Sequence, residues 1–157
     1  MSELKELFED LGFSDVVTYI QSGNVIFKTK LEVEESIKKI EHAIDEKYNF
    51  KVSVIIRTLA ELKEVLTNNP FTNYPETKKM NFTFLSRVPD YENVKSLSEL
   101  DYNPDIFRII GKEIYLYLNL GAGKTKLTNN LLENKLKLKA TSRNWNTLNK
   151  LIELVQK

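Results

Sequence analysis

Two β-rich runs, Ile106 to Ile110 and Glu113 to Leu118, are separated by only Gly111 and Lys112. A two-residue link has no room for a crossover, so the runs form an antiparallel hairpin. That excludes a parallel α/β sheet at this point in the chain, and the neighbouring segments have to fit an antiparallel frame. Ahead of the hairpin, Met80 to Ser86 has strand character and Tyr91 to Leu100 that of a short helix. Behind it, helices are expected from about Thr125 to Leu136 and from about Asn144 to Val155. The last carries Trp145, Leu148, Leu151, Ile152 and Val155 along one side, at helical spacing.

The first half repeats this order with different punctuation. Leu4, Leu7, Phe8 and Leu11 form an apolar stripe behind Ser2, a suitable cap, and Gly12 stops the helix. Val16 to Ile20 and Val25 to Lys28 flank Gln21-Ser22-Gly23-Asn24, a tight hairpin turn in which Gly and Asn tolerate positive φ. A helix over Leu31 to Tyr48 buries Val33, Ile37, Ile40 and Ile44, and Lys51 to Arg57 reads as a strand. Thr58-Leu59-Ala60-Glu61 is a capping box that opens a third helix, with Leu59, Leu62, Val65 and Leu66 inward.

The expected organisation is therefore a first α+β repeat over 1–69, a connector over 70–79 and a second repeat over 80–157, forming one compact protein. The order strand, helix, strand, strand, helix occurs twice, except that the first copy opens on a helix cap. A split βαβ sheet needs its first strand between two others, and without it backbone donors and acceptors lie along open edges. The expectation is either a truncated chain or an edge covered by a partner, homo-oligomerisation being one way to cover it.

A chain of 157 residues with 41% hydrophobic and 29% charged residues can build a real core without disulfides. Cysteine is absent, which removes thiol nucleophiles, thiolate zinc sites and disulfides from consideration within this sequence. The acidic, amphipathic start is unlike a signal peptide and no stretch has membrane-spanning length, so the protein is expected to be cytoplasmic, with no membrane partner. Charge is uneven: residues 1–120 hold 15 Lys/Arg against 20 Asp/Glu, whereas residues 121–150 hold 7 against 1. A basic block of that kind attracts phosphates, although a solvated basic helix face explains it more simply.

Inside the block lies Gly121-Ala122-Gly123-Lys124-Thr125, which invites comparison with a nucleotide-binding phosphate loop. That motif needs a glycine five residues before Gly123, where this chain has Leu118. The preceding strand also belongs to an antiparallel hairpin, and no apolar strand ends in an aspartate that would hold magnesium. Nucleotide hydrolysis is therefore set aside. What remains is an anion-tolerant turn: Gly121 and Gly123 permit close backbone approach, and the following helix would offer free N–H groups beside Lys124 and Lys126.

Thr141-Ser142-Arg143-Asn144-Trp145 is the second polar group: Arg143 can grip a phosphate, Asn144 can read an amide or base edge, and Trp145 can stack. The structural alternative is that Ser142 or Asn144 caps the last helix while Trp145 fills the core, and it is preferred for Trp145. Gln21 and Asn24 present polar groups on a hairpin tip, which turn chemistry alone also explains. The single histidine, His42, sits on a charged helix face, so no metal site and no Ser-His-Asp hydrolase is expected. Asp101-Tyr102-Asn103-Pro104-Asp105 begins like a calcium loop, but Ile106 occupies the glycine position and Lys112 the place of the bidentate glutamate.

Four blocks in order resemble the bacterial domain of unknown function 1697 family: Glu3 to Phe13, Thr18 to Phe27, Gly121 to Leu127 and Thr141 to Thr147. The resemblance implies a duplicated, ferredoxin-like α+β architecture with antiparallel sheets and packed helices, and it implies no activity or cofactor. It also implies an additional apolar first strand and a loop resembling Arg-Gly-Ile-Asn-Val-Gly-Gly, neither of which lies in this sequence. The leading functional expectation is a non-catalytic module that binds a phosphate-bearing ligand or nucleic acid through Gly121, Gly123, Lys124, Lys126, Arg143 and Asn144, with Gln21 and Asn24 as further polar contacts. The alternatives are a small-molecule enzyme with a pocket between the repeats, for which no general base can be named, and a protein interaction module using a sheet edge.

Overall fold

The computed structural model describes residues 2–19 and 23–156, as an α+β protein with six α-helices and two sheets among them. Every strand pair is antiparallel. The chain divides into two compact units, Met1–Ile56 with Glu153–Lys157, and Arg57–Ile152.

In the first unit, helix α1 (Ser2–Asp10) ends at Gly12, whose φ of +93° is one that a side chain would resist. Strands β1 (Ser14–Tyr19) and β2 (Asn24–Lys28) form a two-stranded sheet whose register shifts between Ser14 and Val17, around Asp15 at φ +51°. Phe8, Phe13, Val16 and Ile40 are its buried core, with the Phe13 and Phe27 rings stacked at 4.5 Å. Helix α2 (Val33–Tyr48) buries Ile40, but Val33, expected inside, stays exposed in its first turn, and Asn49 closes the helix in a left-handed conformation.

Among the described residues, the strand expected over Lys51 to Arg57 is not seen. Val54 and Ile56 pack on the first-unit core as a strand would, yet β1 and β2 pair only with each other among the described residues. The Val54 amide donates to the Glu41 carboxylate at 2.8 Å instead of to a ladder. A strand requires a hydrogen-bonded neighbour as well as residues that favour extended backbone.

The second unit begins with helix α3 (Leu59–Thr67), which carries the expected capping box: the Glu61 amide donates to Thr58 Oγ1 at 3.2 Å and the Thr58 amide to Glu61 Oε1 at 2.9 Å. The connector is not featureless, since Phe71 is buried against Tyr74 and Tyr117 and a 3-10 turn spans Thr77–Lys79. The sheet contains β3 (Met80–Leu85), β4 (Ile106–Ile110), β5 (Glu113–Tyr117) and β6 (Ala140–Asn144), in the spatial order β4-β5-β3-β6. Helix α4 (Tyr91–Ser98) joins β3 to β4, α5 (Asn129–Leu136) joins β5 to β6, and α6 (Trp145–Gln156) follows.

Alternation along the strands separates the two faces of this sheet. Leu85, Ile114, Leu116 and Leu118 join Leu97, Leu127, Leu132 and Leu136 in one cluster, which is the face covered by α4 and α5. Phe82 and Tyr115 point the other way, with their rings edge to face at 5.9 Å. Strand β6 was not anticipated: Ala140-Thr141-Ser142-Arg143-Asn144 is too polar to read as a strand, because it lies at the sheet edge, half-buried.

Candidate functional site

The 118–128 segment starts where β5 ends. The Leu118 amide still donates to the Lys79 carbonyl at 2.8 Å and its side chain is buried in the helix-side core, so the chain remains strand-like where a phosphate loop would already turn. Asn119 then donates through Nδ2 to the Pro104 carbonyl at 2.7 Å, and the Leu120 amide to Asp105 Oδ1 at 2.9 Å. Gly121 turns the chain with φ +85°, and its carbonyl accepts from the Lys124 and Thr125 amides at 3.1 and 3.0 Å. Thr125 is buried and its Oγ1 accepts from the Leu127 amide at 3.0 Å, while Leu127 anchors the loop in the core.

These bonds change the sequence-based picture of the turn. Helix α5 begins at Asn129, not near Thr125, with Thr128 as its cap and the Leu131 amide already donating to Thr128 Oγ1 at 3.1 Å. The free helix N–H groups expected beside Lys124 and Lys126 are therefore displaced along the chain, because turn bonding between 121 and 127 delays the helix. Gly121 is required by its positive φ, whereas Gly123 has an ordinary φ and open space around the position of a Cβ. Lys124 and Lys126 are exposed, and neither is ion-paired among the described residues.

Arg143 comes from a strand rather than a loop, opposite Phe82 in the β3–β6 ladder. Its neighbour Ser142 faces the helices: Ser142 Oγ lies 2.8 Å from Thr83 Oγ1 and donates to Asn129 Oδ1 at 3.0 Å. Alternation therefore puts Arg143 on the opposite face, where its Nη1 donates to Thr141 Oγ1 at 2.6 Å and to the Ser142 carbonyl at 2.8 Å. Burial lowers the guanidinium pKa from its ordinary value. Asn144 Oδ1 accepts from the Thr147 amide at 2.8 Å and so caps α6, while the Trp145 ring, half-buried, lies 6.3 Å from that of Phe82.

Register nonetheless brings the two basic segments to one end of the sheet. Met80 pairs with Tyr117, just before the loop, and Asn81 pairs with Asn144, just after Arg143. Lys124 and Lys126 leave from a loop anchored on the helix face, and Arg143 from the other face of the same end. Asn24 belongs to the first unit, is buried, and donates to the Tyr19 carbonyl at 3.3 Å; Gln21 lies outside the described residues. His42 is exposed, 3.2 Å from Glu46 on the next turn.

No local signal announced the most buried ion pair among the described residues. Arg57 Nε lies 2.9 Å from Glu113 Oε2, with side chains only 7% and 17% exposed, and its Nη2 donates to the Leu85 carbonyl at 2.8 Å and the Lys112 carbonyl at 3.2 Å. The pair is structural: it locks the chain entering α3 to the turn between β4 and β5. No helix of the described residues is long and apolar enough to cross a membrane.

Comparison with known proteins agrees with this architecture and adds no activity. The family model described as "Protein of unknown function (DUF1697)" matches residues 1–115. A conserved bacterial protein of known structure, from Streptococcus pneumoniae, aligns over 100% of this chain and 89% of that chain with a TM-score of 0.77 and 23% sequence identity, a likeness that establishes a shared fold. No curated protein matches.

Proposed function

The chain belongs to that family of proteins of unknown function, and from this premise we propose that it is a non-catalytic module binding an extended phosphate-bearing ligand, of which single-stranded nucleic acid is the best-fitting class. The observation that carries the proposal is the basic segment of the second unit. Lys124, Lys126, Lys135, Lys137 and Lys139 have no ion-pair partner among the described residues. Only Glu133 opposes the charge of residues 121–150, and its Oε2 accepts from the Ala140 amide at 2.8 Å.

Placement of the basic groups also selects among ligands. Lys124 and Lys126 on one face and Arg143 on the other face of one sheet end do not suit a single phosphate, whereas a chain of phosphates can run around the end and meet both. The test is fluorescence anisotropy with a labelled single-stranded oligonucleotide over a range of salt. Affinity should fall steeply with salt, and Lys124→Ala with Lys126→Ala should reduce the log–log salt slope by about 1–2. Absence of binding at low salt, or binding indifferent to salt, would remove the proposal.

The finer architecture is part of the same proposal. In the second unit the order β4-β5-β3-β6, with helices after β3 and β5, supports a ferredoxin-like split βαβ reading. In the first unit α1, β1, β2 and α2 follow the same sequence order, which supports a duplication.

A further inference from the structure

The second unit has a hollow between the end of α4, the 101–105 loop and β4, with a cavity volume of about 540 Å³. That is within the roughly 300–1,000 Å³ usual for small-molecule sites. Its lining includes Asp101, Asp105 and Arg108, together with the rings of Tyr102 and Phe107, which meet edge to face at 5.7 Å. The Tyr102 hydroxyl donates to the Leu97 carbonyl at 2.9 Å, so that ring offers the hollow its apolar surface rather than its phenol.

The charged groups are incompletely satisfied. Asp105 is 7% exposed; its Oδ1 accepts from the Leu120 amide, but its buried Oδ2 has no hydrogen-bond partner. A carboxylate oxygen left unpaired in a low-dielectric wall is costly and favours a positive charge nearby. Asp101, exposed on the same loop, accepts from the Asn103 amide through Oδ1 at 2.9 Å. Arg108, exposed on β4, donates through Nη1 to the Phe107 carbonyl at 2.8 Å. None of the three is ion-paired, with another of the set or with any other described residue.

From this arrangement we infer that the hollow binds a small zwitterion of the α-amino-acid class. The ammonium group answers the two carboxylates, Asp101 by contact and Asp105 through the charge it holds in the wall. The ligand carboxylate answers Arg108, and an apolar side chain lies against Tyr102 and Phe107. A divalent metal ion is the weaker fit, because only two carboxylates line the hollow and a guanidinium shares it. The site is independent of the phosphate-binding proposal, so either can fail alone.

The experiment is a chemical-shift titration of the full ¹⁵N-labelled chain with each of the common amino acids, and separately with propionate, ethylamine and calcium chloride. At least one amino acid should give saturable shifts centred on residues 98–109 at micromolar to millimolar concentration, and propionate and ethylamine should each bind at least tenfold more weakly. Asp101→Asn and Arg108→Gln change exposed side chains and should each weaken binding about tenfold, roughly the worth of one charge-assisted contact. Asp105→Asn keeps an oxygen for the Leu120 amide and should also weaken it. The inference is overturned if no amino acid saturates these shifts at high millimolar concentration, if neither exposed variant alters affinity, or if calcium alone titrates the same amides.

Discussion

The two units solve the same packing problem with different amounts of sheet. The second has four paired strands, with β5 flanked by β3 and β4 and buried from Ile114 to Tyr117. The first has one hairpin among the described residues, and a two-stranded sheet is at best marginal unless something packs on it. Its core compensates with aromatic area: the Phe8, Phe13 and Phe27 rings lie within 5.8 Å of one another, and Ile40 of α2 joins them. Similar runs of sequence thus acquire stability from ladders in one unit and from side-chain contacts in the other.

The largest test of this contrast is the buried ion pair. Arg57→Ala leaves Glu113 buried without its partner and should cost about 3–5 kcal/mol, read from urea unfolding. The loss should appear in the second-unit amides by hydrogen exchange. Phe13→Ala should cost about 3 kcal/mol by removing a stacked ring, and it should deprotect first-unit amides while β3 and β5 keep theirs. If both variants deprotect both units equally, the units unfold as one and the contrast fails. Thr58→Ala removes one half of a capping box and should cost about 1 kcal/mol by thermal unfolding.

A smaller effect concerns alkali. Burial, with the charges of Glu113 and Glu64, pushes the Tyr115 hydroxyl up from 10.0 to about 12. The unfolded chain then releases this proton first, so stability is fully present below pH 10 and declines as pH rises from 10 towards 12. Tyr115→Phe should flatten that part of the stability–pH curve, measured by urea midpoints; an unchanged slope would remove Tyr115 as its cause. Smallest of all, Lys124→Ala and Lys126→Ala should alter stability by less than about 0.5 kcal/mol, which makes them clean probes of ligand binding.

Much of the frame was legible before any coordinates. The Gly111-Lys112 hairpin, the capping box at Thr58 and Glu61, the helix beginning at Ser2 and the cap at Asn144 all formed, because each depends on residues a few positions apart. The candidate site was half legible. Leu118 continues the strand-like bonding and is buried, but the helix expected at Thr125 begins at Asn129, since Gly121 and Thr125 use the intervening amides in turns. Arg143 was a sensible candidate by residue type, yet its direction depends on β6 pairing with β3, and nothing local in a polar edge segment announces that pairing.

Turn residues, caps and periodicity established the helices and hairpins of this protein, because those signals act between residues close in sequence and survive without a tertiary context. The ladder partners were decided elsewhere. That Ala140 to Asn144 is a strand, that Arg57 meets Glu113 and that Asp105 keeps an unsatisfied oxygen all depend on groups far apart along the chain. Such contacts form only where loop closure is offset by burial, and that balance is a property of the packed whole rather than of any one segment.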